Sequence, residues 1–250
     1  MHIRFIGSGD AFGSGGRFHT CIHVATAATD MLVDLGASAF HGLKASGLDL
    51  NRIGAILLTH FHGDHFGGLP YFILDAHYVS NRKAPLLIAG PPGVEAAVLR
   101  LLEACYPGFM AAPRVYEIRF VEIAAAEPTA IAGATVTARP VKHDPNLACC
   151  YGYRIAADGV TFVYSGDTTW TDTLIPLAQG ADLFAVECYT RARPMAVHMD
   201  YATLAAKLPE IGARRVVLTH MSRDMLDHPE DIRHEMAHDG LTIEIGTALP

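Results

Sequence analysis

At 250 residues, half of them apolar and 18% charged, the chain is a packed globule of one large or two small domains and not a disordered polymer. Acidic residues outnumber basic ones 26 to 19, a formal charge of −7, which argues against a broad polynucleotide-binding surface and leaves a small phosphate ester open. No apolar stretch approaches a bilayer span, the first residues run straight into a strand-like segment, and five cysteines form no CxxC pair. The expectations are no membrane contact, a cytoplasmic location, and neither a disulfide framework nor a structural zinc finger.

In chain order, β-type runs are expected at 2–7, 20–25, 30–34 and 53–59, with a short helix near 38–46 closed by Gly47. The glycine-rich segment from Gly7 to Gly16 is either a plain turn or a place where backbone approaches a substrate. Gly68 to Ser80 reads as a helix, and Pro91, Pro92 and Gly93 open another over Val94 to Cys105. Strands follow near 115–123, 134–142, 149–156, 160–165, 182–187 and 214–219, with helices near 171–179 and 201–209, the last N-capped by Asp200. A helix-like stretch at 230–238, after His228 and Pro229, is expected on the surface. Two such halves imply an α/β protein of two sheets packed face to face with helices outside, in one domain spanning 1–250.

The chemistry concentrates between Thr59 and Gly68, where His60, His62, Asp64 and His65 follow the apolar run Ile56, Leu57, Leu58. Gly63, Gly67 and Gly68 argue for a loop there and not a helix. In such a loop His60 and His62 reach one ion while Asp64 and His65 turn toward another. The alternative is a solvated histidine-rich tract. Against it, three more donor residues stand one turn beyond other β-type runs: His143, Asp167 and His220. In open α/β architectures sites form outside the carboxyl ends of strands, so this repeated placement points to chemistry.

Taken together, His60, His62, Asp64, His65, His143, the Ser165 to Thr168 segment and His220 resemble the ordered motif set of metallo-β-lactamase superfamily hydrolases. The resemblance spans Phe5 to Thr219 and its motifs, and implies a four-layer αββα sandwich of two mixed sheets. It also implies that His60, His62 and His143 bind a first metal, Asp64, His65 and His220 a second, and that Asp167 bridges both. Asp34 corresponds to a structural aspartate that braces the ligand loop. Imidazole and carboxylate donors without thiolate suit zinc first, with manganese or iron as alternatives. Two divalent ions about 3.5–4 Å apart share a water, lower its pKa from 15.7 toward about 7 and present it as hydroxide.

Glu187 to Thr190, followed by His198, Met199 and Asp200, is similar to a ribonuclease Z signature. By that similarity His198 stabilises the phosphate or protonates the leaving alcohol, and Glu187 orients it; with Asp64 they form the catalytic set. An ordinary loop histidine before a helix is the competing reading of His198. The match departs at Val186, where that family often has histidine, and at Asp200, where it often has threonine. The basic, flexible arm with which ribonuclease Z proteins grip transfer RNA has no counterpart between Met110 and Val141. The expected function is therefore a dinuclear phosphodiesterase acting on a small or cyclic phosphodiester. The alternatives are a transfer RNA 3′ endonuclease and a hydrolase of carboxylic esters, thioesters or lactones. Long nucleic acid is disfavoured, and a homodimer is an assembly the resemblance allows. His19 and His23, near the glycine-rich segment, are candidates for the pocket wall. Trp170, Tyr164 and Tyr189 pack against either a substrate or the core.

Overall fold

The computed structural model describes residues 1–246. Its first half contains β1 (His2–Gly7), β2 (Cys21–Ala25), β3 (Asp30–Val33), α1 (Ala39–Ala45), β4 (Ile53–Leu57), α2 (Gly63–Phe66), α3 (Leu69–Tyr78), β5 (Leu86–Gly90), α4 (Val94–Cys105) and β6 (Ile118–Glu122). The second half contains β7 (Pro128–Ile131), β8 (Ala134–Pro140), β9 (Tyr151–Ala157), β10 (Val160–Tyr164), α5 (Leu174–Ala178), β11 (Leu183–Glu187), α6 (Tyr201–Ile211), β12 (Val216–Thr219), α7 (Arg223–Leu226), β13 (Glu235–Met236) and β14 (Thr242–Glu244).

The strands form two seven-stranded sheets, ordered β14-β1-β2-β3-β4-β5-β6 and β13-β12-β11-β10-β9-β8-β7. Both are mixed. In the first, β1 to β3 pair antiparallel and β3 to β6 parallel. In the second, β7 to β10 pair antiparallel and β10 to β13 parallel. The parallel strands β3, Asp-Met-Leu-Val, and β11, Leu-Phe-Ala-Val-Glu, are buried along their whole length, as expected of strands covered on both faces.

Packing follows from that covering. Ile3, Phe5, Ile22 and Val33 of the first sheet meet Val136, Tyr153, Ile155 and Phe162 of the second in the central layer. Leu43, Leu69, Phe72, Val98 and Leu102, from α1, α3 and α4, cover the outer face of the first sheet. Leu174, Leu177, Leu204 and Leu208, from α5 and α6, do the same for the second. Each fully buried side chain of this size contributes about 1.5–3 kcal/mol of hydrophobic stabilisation. The result is the expected four-layer αββα sandwich. Asp200 caps α6 as expected, accepting from the Thr203 amide at 2.9 Å.

Three expectations are corrected. The ligand segment is not all loop: extended His62 leads into a single helical turn, α2, whose residues include Asp64 and His65. Glycine at the first helical position did not prevent this, because the turn is held by the Phe66 amide donating to the His62 carbonyl and by tertiary contacts around it. Residues 230–238 are not helical: a 3-10 turn at Pro229–Asp231 leads into edge strand β13, paired with β12. Helix α6 also continues past Pro209 to Ile211, where Gly212 at φ 67° closes it.

Candidate metal centre

The chemically active side chains sit at or beyond strand ends of both sheets. Thr59 and His60 follow β4, His143 follows β8, Asp167 follows β10, Glu187 ends β11 and His220 follows β12. One of these exits and the neighbouring exit of β3 use left-handed backbone at residues other than glycine: His220, at φ 56°, and Asp34 after β3, at φ 59°. Such conformations persist when the surroundings over-determine them. The His220 amide is held by the Ser8 carbonyl at 3.1 Å. Gly166 has φ 61°, and a Cβ there would lie 2.4 Å from the Tyr151 carbonyl oxygen, so glycine is what lets β9 approach the turn carrying Asp167.

The side chains converge in two adjacent groups. His60, His62 and His143 bring one ring nitrogen each to within 4.8 Å of one another, and Asp64, His65, Asp167 and His220 do the same with their donor atoms. Asp167 lies between the groups: its Oδ2 is 3.2 Å from His65 Nε2, 3.3 Å from His220 Nε2 and 3.9 Å from His143 Nε2. His220 Nε2 is also 3.2 Å from Asp64 Oδ2. All seven donor residues singled out in the sequence therefore meet.

The surroundings fix which ring nitrogen faces inward. His65 Nδ1 donates to Asp34 Oδ2 at 2.7 Å, leaving Nε2 toward Asp64 and Asp167. His143 Nδ1 donates to the Val197 carbonyl at 2.7 Å. His62 Nε2 meets Asp144 Oδ2 at 3.1 Å, so Nδ1 is the atom presented to His143. Such outer partners set tautomer and orientation. Asp34, wholly buried, also accepts from the Thr59 amide and hydroxyl, both at 2.8 Å, and so joins β3 to the ligand segment.

The donor set fits divalent cations. His60 Nε2, His65 Nε2 and Asp167 Oδ1 are buried without a hydrogen-bond partner, an arrangement proteins rarely tolerate. Burial, aided by neighbouring imidazoles, holds His60 well below the usual histidine range, and burial likewise lowers His143, so both are neutral and offer lone pairs. In the second group burial opposes charge on His220, yet Asp167 and the hydrogen bond to Asp64 outweigh it and raise its pKa to about 9. Burial opposes ionisation of Asp167 too, but His220 and His65 hold it well below the carboxylate range. A cluster that draws positive charge this strongly in a buried place is suited to metal ions.

Asp34→Ala is expected to weaken divalent-ion binding by about 10–100-fold, because the His65 ring loses its orienting acceptor. Calorimetric titration of the variant with zinc checks this.

A cavity of about 440 Å³ opens over the cluster, lined among others by Phe12, His62, Asp144, Tyr189, His198 and His220. Glu187, wholly buried, accepts from His198 Nδ1 at 3.1 Å and from the Thr168 amide. Burial opposes protonation of His198, but Glu187 outweighs it and raises the pKa. Tyr189 stacks on the His198 ring, centroids 4.7 Å apart at 24°. The other aromatic and histidine candidates fall elsewhere. Tyr164 is wholly buried, and Trp170 donates to Asp172 at 3.0 Å outside the cavity lining. His23 pairs with Asp30 at 3.2 Å, and His19 accepts from the Ser38 amide at 3.3 Å. All five cysteines are free, and Cys149 and Cys150 are not in the cavity lining. Asp144 and Asn146 in the lining were missed by sequence reasoning; the one available signal was their adjacency to His143.

A two-sheet sandwich with this histidine and aspartate cluster at its strand ends is a metallo-β-lactamase-fold, metal-dependent hydrolase of the ribonuclease Z and phosphodiesterase-like group. A family model described as Anti-Pycsar protein Apyc1 matches residues 1–240, and the chain belongs to that family. It is also 30% identical over 194 residues to a ribonuclease Z of Mycobacterium bovis, covering 73% of this chain and 68% of that one. Human tRNase Z, short form, superposes with a TM-score of 0.79 at 24% identity, over 98% of this chain and 100% of that one. A diphosphatase of the PhnP family superposes at 0.80 with 21% identity, over 98% of each chain.

Proposed function

We propose that the chain is a single-domain, dinuclear phosphodiesterase acting on a small or cyclic phosphodiester. His60, His62 and His143 would hold one ion, Asp64, His65 and His220 the second, and Asp167 would contact both; zinc is the first choice, manganese or iron the alternatives. Such ions supply a nucleophile active at neutral pH and positive charge against the phosphoryl oxygens.

The observation that carries the phosphodiester reading is the Glu187–His198 pair, in which His198 lines the cavity with its Nδ1 4.0 Å from Asp167 Oδ2. A phosphodiester needs a proton for its leaving alkoxide. Attack of water oxygen on phosphorus breaks the bond to the leaving oxygen, and the His198 proton goes to that oxygen. Glu187 keeps the ring charged and turned. The cavity volume suits a ligand of mononucleotide size. Charge supports the small substrate, since acidic residues outnumber basic ones, and residues 118–140 are mostly in strands β6 to β8 and form no flexible arm. The five free cysteines favour a reducing, cytoplasmic location, and among the described residues no helix is long and apolar enough to cross a membrane.

A second reading, transfer RNA 3′ endonuclease, is favoured by the likeness to proteins named Ribonuclease Z. A third, hydrolysis of carboxylic esters, thioesters or lactones, would use the same ions. A panel of 3′,5′-cyclic phosphodiesters, lactones, thioesters and precursor transfer RNA separates them. The proposal expects cyclic phosphodiesters to turn over fastest and precursor RNA to remain uncut at low salt; preferential ester turnover or RNA cleavage overturns it.

A further inference from the structure

Of the five histidines in the metal centre, four have the ring nitrogen that turns away from the centre engaged by a partner. Thr59 Oγ1 meets His60 Nδ1 at 3.0 Å, and Asp144, Asp34 and the Val197 carbonyl hold His62, His65 and His143. His220 differs. Its Nε2 faces Asp64 and Asp167 at 3.2 and 3.3 Å, but its Nδ1 is buried and, among the described residues, has no hydrogen-bond partner. The His198 ring, centroids 5.4 Å apart at 24°, limits the tilt of this imidazole without fixing how far it reaches. The backbone of His220 must therefore do what an outer partner does for the other four.

That backbone is left-handed, at φ 56°, and such a conformation holds only where the surroundings dictate it. The dictating residue is Ser8, directly after β1. Its carbonyl accepts from the His220 amide at 3.1 Å and from the Thr219 hydroxyl at 3.4 Å. Ser8 is wholly buried, and its own amide and hydroxyl both donate to Asp239 Oδ1, at 2.9 and 2.8 Å. Asp239 Oδ2 accepts from the Phe18 amide at 2.8 Å, so both oxygens are engaged. Bonds of this kind, to an ionised acceptor, are stronger than neutral ones. Asp239 stands on the connection from β13, which pairs with β12, to β14, which pairs with β1. It thus ties the end of β1 in one sheet to the strand of the other sheet that delivers His220, from outside the cavity lining.

We propose that Asp239 is a positioning residue for the metal centre, which through Ser8 sets the backbone from which His220 reaches the second ion. This rests on the dinuclear reading and adds to it a residue 19 positions beyond His220 that touches neither ion nor substrate. The test uses the full chain as wild type, Asp239→Ala and Asp239→Asn, with zinc titration by calorimetry and amide hydrogen exchange of the ion-free protein by NMR. Asp239→Ala should weaken one of the two zinc-binding steps by about tenfold and leave the other unchanged, the low end of what outer partners of metal ligands contribute, because it acts through one more residue. The His220 amide should exchange faster in that variant, while the Leu58 amide, bonded to the Ala89 carbonyl in the first sheet, keeps its wild-type protection. Asp239→Asn retains an acceptor for Ser8 and should show a smaller loss in the same binding step; it carries the comparison if Asp239→Ala does not fold. Unchanged zinc affinities in both variants, equal weakening of both steps, or an unaltered His220 exchange rate would overturn the assignment. A wild type that takes up fewer than two ions would instead overturn the dinuclear reading, while the exchange comparison still decides whether Asp239 holds the His220 backbone.

Discussion

Asp167→Ala is expected to abolish hydrolysis, with a loss well beyond the about 10–100-fold that follows from removing a residue that only orients a metal ligand. Its carboxylate approaches members of both donor sets, lying near His65, His220 and His143. The residue is only 2% exposed, so bulk water does not readily replace it. Removing it leaves His65 and His220 directed at a cavity with one carboxylate fewer, and affinity for both ions should fall together. Metal content by elemental analysis and turnover of a cyclic phosphodiester check this. A variant that keeps two tightly bound ions and wild-type turnover would show that Asp167 has no such role.

His198→Ala is expected to lower kcat by about 10²–10⁴-fold with metal content retained. The loss should be smaller for a nitrophenolate leaving group, which departs without a proton, than for an alkoxide. A parallel loss on both would assign His198 to binding and not to proton transfer. The direction of the His198 shift gives a further check. Burial alone would depress its pKa, but Glu187 outweighs that and raises it, so the ring stays protonated to higher pH. A rate that needs the protonated ring is present below that pKa and lost as pH rises through it. Glu187→Gln removes the charge and keeps an acceptor, so the alkaline limb of the kcat profile should move to lower pH. A limb that does not move contradicts the pairing.

Much of this site could be read from the residues because the donors follow apolar, β-type runs directly or within a turn. Leu57, Leu58, Thr59, His60 and Val217, Leu218, Thr219, His220 announce a buried strand and what it delivers. The long elements were readable for the same reason, and α4 runs over the residues its apolar spacing indicates. What escaped depends on neighbours distant in sequence. Strands β7, β13 and β14 are short edge strands, two to four residues long, that exist through pairing with β8, β12 and β1. The helical turn Gly63–Phe66 runs against its glycine and is secured by the chain around it, where the Leu35 amide donates to the His65 carbonyl at 2.6 Å. The contact of Asp144 with His62 spans 82 positions, and the presence of Phe12 at the cavity mouth depends on how one loop is tied down by Asp10 and Asp239. No local pattern announces either.

The central claim is that seven side chains from four strand ends hold two ions that the hydrolysis needs. Elemental analysis of the purified protein, paired with hydrolysis of a cyclic phosphodiester before and after chelation, tests it most directly. The account predicts two divalent ions per chain, loss of turnover on chelation and recovery when zinc or manganese is returned. Full turnover by protein that carries no divalent ion would contradict it.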